Sequence, residues 1–246
     1  MPPDVHTFHG QATPLPLRLA DLHVSLRPGD LVTCRLEPTP DDGWCRQRAL
    51  DLMIGAGFSP DQAGPVSRSV ATVVDATRIH SLPDTVAPGM RLLIVGLNPS
   101  PFSADSAIGY GHPGNRFWPA ALQAGIVSVD RDPRHALREH GLGMTDLVRR
   151  TTTRAAEVDR DEFARGYGRV GRLVAGLAPK AVCFVGLGGW RSVVDRSAVA
   201  GIQEHPLGGR PVYLMPHTSG LNAHSRLADL AAHLAAAADL ADGDIS

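Results

Sequence analysis

The chain has 246 residues, enough to bury a full core, and its length fits one large domain or a core domain with a smaller appendage. Hydrophobic residues make up 43% and charged residues 20%, and no apolar run reaches the roughly 18–20 residues that span a bilayer, so a membrane-spanning helix is not expected. A formal charge of −1 excludes a global pull on nucleic acid, so any DNA contact must come from a local patch, and three cysteines without C-x-x-C spacing exclude a disulfide framework, a zinc ribbon or a four-cysteine iron–sulfur site.

The opening "MPPDVHTFHGQATPLPLRL" lacks the basic and then apolar layout of a secretory signal, so a cytoplasmic protein is expected, nucleoid-associated if bacterial. Residues 1–81 form an N-terminal extension that is rich in loops and proline. A strand pair is predicted around "LHVSLRPGDLVTCRLEP", turning at Pro28-Gly29-Asp30, and a helix at "GWCRQRALDLMIGAGF", where Trp44, Ala49, Leu52 and Met53 keep helical spacing. The turn cluster "SLPDTVAPG" marks the boundary. Beyond it, "MRLLIVG", "AVCFVG" and "RPVYLMP" read as buried strands, while "NRFWPAALQAG", "DRDEFARGYGRVGRLVAGLAP", "GGWRSVVDR" and "SRLADLAAHLAAAADL" read as helices. Buried strands separated by helices predict an α/β fold with a mainly parallel central sheet over residues 82–240, and residues 241–246 read as a disordered tail.

In such sheets functional groups gather in loops at the carboxyl ends of the strands, and two loops qualify: "GLNPSP" after the first strand and "PHTSGL" after the third. Asn98 stands at the tip of the first, its direction restricted by Pro99, and its amide can hold a water or a carbonyl without carrying charge. Tyr110 offers a face for a planar base, and His112-Pro113-Gly114-Asn115-Arg116 leads into a helix whose first amides suit a phosphate. In the second loop, His217 suits donation to an oxygen that becomes negative, Ser219 suits a phosphate, and Leu221 suits an exposed wedge. Arg149, Arg150 and Arg154 in "RRTTTR" are further candidates for phosphate contact.

The run "GLNPSPFSADSAIGYGHPGNRFWPAALQAG" resembles the first motif of the mismatch-specific uracil-DNA glycosylases, the group of bacterial Mug and vertebrate thymine-DNA glycosylase, within the wider uracil-DNA glycosylase superfamily. Tyr110 follows Asn98 at the spacing of that family's base-stacking aromatic, "GMTDLVRRTTTRAAEV" is similar to its G-x-T-x-L-V-x-R-x-T segment, and the likeness reaches "MPHTSGL". Three positions depart: Ser100 replaces a glycine, His217 stands where asparagine is common, and "GLNAHSR" replaces G-L-S-R.

The resemblance implies a three-layer glycosylase domain in which Asn98 positions the attacking water and His217 stabilises charge on the leaving uracil. The base pocket is expected to comprise Leu97, Ser100, Ser103, Asp105 and Tyr110; Asp105 is the one carboxylate of the motif, at a position where the family pattern requires no acid, and reads either as a second catalytic charge or as a flexible loop residue. The expected DNA-binding set is Asn115, Arg149, Arg150, Ser219, Gly220, Leu221, Asn222 and Arg226, of which the resemblance implies Leu221 as the wedge. The expected activity is excision of uracil, best from G·U pairs, from double-stranded DNA by a monomer without metal or cofactor. Two alternatives stand beside it: a non-catalytic binder of damaged DNA, and a dinucleotide-binding protein suggested by the glycine-rich turn "CFVGLGGW".

Overall fold

A computed structural model describes residues 4–9, 14–37, 44–61, 71–153, 157–220, 222 and 224–243. The N-terminal part is more ordered than its proline content suggests. In chain order it comprises β1 (Asp4–His9), α1 (Leu15–Ser25), β2 (Leu31–Glu37), α2 (Arg46–Gly55), β3 (Phe58–Pro60) and β4 (Thr72–Arg78). The four strands form one sheet in the order β1-β2-β4-β3, with β1 parallel to β2 and the other pairs antiparallel. The predicted strand pair is corrected here: its first arm is the end of α1. Leu15, Leu19 and His23 follow at helical spacing and Pro16 sits in the first turn, where its missing N–H costs nothing. Strand β2 pairs with β1 and β4 instead.

The rest comprises β5 (Leu92–Gly96), α3 (Pro101–Ser106), α4 (Phe117–Gln123), α5 (Pro133–His140), β6 (Leu142–Asp146), α6 (Arg160–Leu177), β7 (Ala181–Val185), α7 (Gly188–Val193), β8 (Gly201–Leu207), β9 (Arg210–Met215) and α8 (Leu227–Asp242). A second sheet has the order β6-β5-β7-β9-β8, parallel except for the edge strand β8. Strands β6 and β8 are additions to the three expected from sequence. Helix α8 runs on through Ala241, which is buried, and Asp242, which pairs with Arg91, so the expected tail is ordered to that point; residues 244–246 lie outside the described residues.

Alternate residues of β5 serve two cores, as the period of a strand requires. Leu93 and Val95 pack with Phe163, Val170 and Val174 of α6 and with the N-terminal sheet; Leu92 and Ile94 pack with Trp118 of α4 and Leu234 of α8. Helices therefore cover both faces of a mainly parallel sheet. Helix α6 starts on a capping box, Asp159 accepting from the Glu162 amide while Glu162 accepts from that of Asp159. The N-terminal sheet joins the α6 side of the molecule in one continuous core that includes Phe8, Val32, Met53 and Phe58.

Candidate active site

The carboxyl ends of β5, β6, β7 and β9 open into one cleft of about 550 Å³. Leu97 to Ser100, Asp146, Gly186 to Gly188 and His217 to Ser219 supply these walls, the turn cluster adds Leu82 to Thr85, and Ser103, Tyr110, Asn115 and Thr152 are among the other residues that line it. The two loops singled out in the sequence thus face each other across the sheet.

Asn98 Nδ2 donates to Thr152 Oγ1 at 2.7 Å and to Pro99 O at 3.3 Å, which fixes the amide and leaves Oδ1 without a donor among the described residues. Ser100, where the resembling family has glycine, caps α3 by accepting from the Ser103 amide at 3.2 Å, a local reason for a hydroxyl at that position. Tyr110 adopts a positive φ of 56° and stacks on Phe117 with centroids 4.3 Å apart. Its ring remains partly accessible from the cleft, but its hydroxyl is buried without a partner, and burial followed by the nearby Asp146 pushes its pKa well up. Phe117 and Trp118 lie in the core beneath, Trp118 Nε1 donating to Gly109 O at 2.8 Å.

The second loop is held by Arg116, whose guanidinium donates to the carbonyls of Ser219, Asn222 and Ser225 while its backbone amide donates to Thr218 O. Gly220 passes so close to Gly114 O that an added Cβ would lie 2.8 Å from it. Asn222 is buried and spends its side chain on His217 O and Ser225 Oγ. His217 is open to solvent at the mouth, yet partial desolvation and then the charge of Arg116 hold its imidazole below the ordinary value, hence neutral near pH 7.

Several expected site residues stand elsewhere. Asp105 is exposed and turned away from the cleft, 2.8 Å from His80 Nε2, which corrects its placement in the base pocket. Arg149 is not a phosphate contact. It is 7% exposed and donates to Asp84 Oδ1 at 2.7 Å, to Gly55 O at 2.9 Å and to Leu82 O. Asn222 is a brace of its own loop and has no side-chain group to offer DNA. Arg150 is at the surface but engaged by Glu162, and Arg226 caps α8 with Asp229. Asn115, whose Oδ1 accepts from the Phe117 amide, and Ser219 do line the cleft, as do Leu97 and Ser103. Leu221 and Arg154 lie outside the described residues.

The sequence matches the family model of the Uracil DNA glycosylase superfamily over residues 83–241, well over half of the chain. The chain belongs to that superfamily. Membership makes it a DNA glycosylase, a hydrolase of DNA repair whose partner is DNA, and it replaces the dinucleotide-binding alternative: the glycine-rich turn after β7 is a wall of the glycosylase cleft. Residues before 83 lie outside the match.

Sequence reasoning missed two carboxylates in this glycosylase cleft. Asp84 is saturated, accepting from Arg149 Nη1, Thr145 Oγ1 and Arg169 Nη1. Asp146, the last residue of β6, is 7% exposed and, among the described residues, accepts no hydrogen bond on its side chain. Burial first, set against the attraction of Arg149 and with repulsion from Asp84, raises its pKa to about 6. The signal was the "GMTD" of a motif already noticed, had it been read as a strand.

Proposed function

We propose that this glycosylase is of the mismatch-specific type, flipping uracil out of G·U pairs and hydrolysing its N-glycosidic bond to start base excision repair. The observation that carries this reading is the convergence of Asn98 and His217 on one cleft from the ends of β5 and β9. Removing a base from the stack costs a few kcal/mol and least at a mispair, which favours G·U over A·U. The flipped base would lie against Tyr110. Asn98 Oδ1, its amide nitrogen already committed to Thr152, would hold a water on the sugar side. A neutral His217 would donate to the uracil oxygen as negative charge develops there, a contribution of roughly 3–4 kcal/mol for a well-aimed donor. Leu221 would fill the gap in the stack. Since leaving-group quality governs such a reaction, uracil should be cleaved faster than thymine.

The test is single-turnover cleavage of a labelled duplex with one G·U pair, read after alkali, with A·U and single-stranded controls. Excision strongest at G·U and reduced roughly a hundredfold or more in Asn98→Ala is expected. Full activity in that variant, or no preference for G·U, would refute the reading.

A further inference from the structure

We propose that Asp146 is a second catalytic group of the cleft, the carboxylate that takes the proton of the attacking water. This rests on the glycosylase reading above and deepens it. Asn98 can orient a water through Oδ1, but an amide oxygen is too weak a base to accept its proton. A carboxylate can accept it, and among the described residues the cleft presents two, Asp84 and Asp146. Asp84 accepts three hydrogen bonds, two of them from guanidinium groups, so its oxygens are already engaged. Asp146 accepts none on its side chain among the described residues.

Its position is built rather than incidental. Asp146 stands opposite Gly96 in the β5–β6 register, and Asn98 follows Gly96 by two residues on the loop that leaves the neighbouring strand. A Cβ on Gly96 would lie 2.1 Å from Asp146 Oδ1 and 3.0 Å from Tyr110 Oη. The missing side chain leaves room for both the carboxylate and the phenol above the strand end, beside the ring expected to stack on the base. Tyr110 Oη is buried without a partner and the Asp146 carboxylate accepts no hydrogen bond among the described residues, both on the wall of the cleft, where one occupant that can donate and accept would serve the two. A water does both.

The charged groups around Asp146 are Asp84 from the turn cluster, Arg149 just beyond β6 and Arg169 from α6, with Tyr110 from the loop before α4. Neither guanidinium touches the Asp146 carboxylate: Arg169 Nη2 reaches only its backbone oxygen, at 2.8 Å, and Arg149 bonds Asp84 and two carbonyls. The carboxylate therefore keeps the basicity that burial gives it. In the step itself, the water oxygen forms the new bond to C1′ and the bond from C1′ to the base breaks with its electron pair leaving on the base. The water's proton passes to an Asp146 oxygen and from there to solvent, and the base anion recovers a proton from solvent.

The test is single-turnover excision from the G·U duplex between about pH 5 and about pH 9 by the full-length wild type, Asp146→Asn and Asp146→Ala, the last with and without added formate, each variant checked for folding by thermal melting and for G·U duplex binding. The wild-type rate should rise with pH through a midpoint at about 6. Asp146→Asn should be slower by roughly a hundredfold or more at neutral pH, with that acid limb gone, and formate should raise the rate of Asp146→Ala. An Asp146→Asn protein that keeps wild-type rates or the same acid limb overturns the proposal and leaves the glycosylase reading standing. Failure of both variants to fold also overturns it, by marking Asp146 as structural. A wild type that excises no base at any pH removes the glycosylase reading, and this step with it.

Discussion

The unpaired state of Asp146 has a thermodynamic signature that needs no substrate. Its carboxyl keeps a proton up to about pH 6 in the folded protein, against an ordinary value of 3.8. Between those values the folded state binds more protons than the unfolded chain, so this residue's contribution to stability falls as pH rises through the window and is fully unfavourable above about pH 6. At about 1.4 kcal/mol per pH unit, the gap amounts to about 3 kcal/mol against folding at neutral pH. Asp146→Asn keeps the shape and removes the charge. Urea unfolding at about pH 7.5 should therefore find the variant more stable by about 3 kcal/mol, an advantage that shrinks to about 1 kcal/mol near pH 4.5. A variant that is less stable at neutral pH, or a difference that does not change with pH, would show that the carboxylate is held by favourable bonds and would remove the physical basis for its basicity.

Gly96→Ala should drive the new methyl against Asp146 Oδ1, lowering stability by about 1–3 kcal/mol and excision by more than tenfold; unchanged melting and rate would contradict the close approach. His23 works in the opposite sense to Asp146. Desolvation, with help from Arg78, lowers its pKa from 6.5 to about 4, so below 6.5 the unfolded chain takes a proton that the folded state refuses. The wild type should accordingly lose about 3 kcal/mol between about pH 7 and about pH 4 that a His23→Gln protein does not lose, and parallel pH–stability curves for the two would rule this out. Removal of residues 1–81 should leave the glycosylase fold insoluble or strongly destabilised, because Val32, Met53 and Phe58 belong to the same core as Leu93 and Val170; a soluble fragment that melts like the full chain would be the contrary result.

The strands that sequence reveals are those with unbroken apolar runs. In β5, β7 and most of β9 every residue faces a core, so composition alone marks them. Strand β6 is equally buried but reads Leu-Gly-Met-Thr-Asp, its glycine making room for the Met90 side chain. Edge strand β8 is largely exposed and carries no such run. Helix α1 was hidden because the apolar spacing begins at Leu15, upstream of the stretch taken for a strand. At the site, the two loops were legible from their punctuation, Asn-Pro in one and Ser-Gly in the other. What sequence order does not display is sheet order. Strand β6 lies beside β5 although three helices intervene in the chain, and that adjacency is what brings Asp146 to Gly96. The same limit explains Arg149: an arginine pair beside threonines looks like a phosphate contact until Asp84, from a distant turn, is seen to hold one of the two.

The buried charges behind the cleft connect these points. Asp84 and Asp146 stand against Arg149 and Arg169, two of each sign, so the cluster is neutral when Asp146 is ionised and carries one net positive charge when it is protonated. Removing one guanidinium would leave a buried carboxylate short of a partner, at a cost of about 3–5 kcal/mol. Arg149 also donates to Gly55 O at the end of α2, and an added Cβ at Gly55 would lie 2.4 Å from Asp84 Oδ2. The N-terminal segment thus reaches the ion pairs beside the cleft. Residues before the matched region thus share a hydrogen bond, from Arg149 to Gly55 O, with the buried charges behind the cleft.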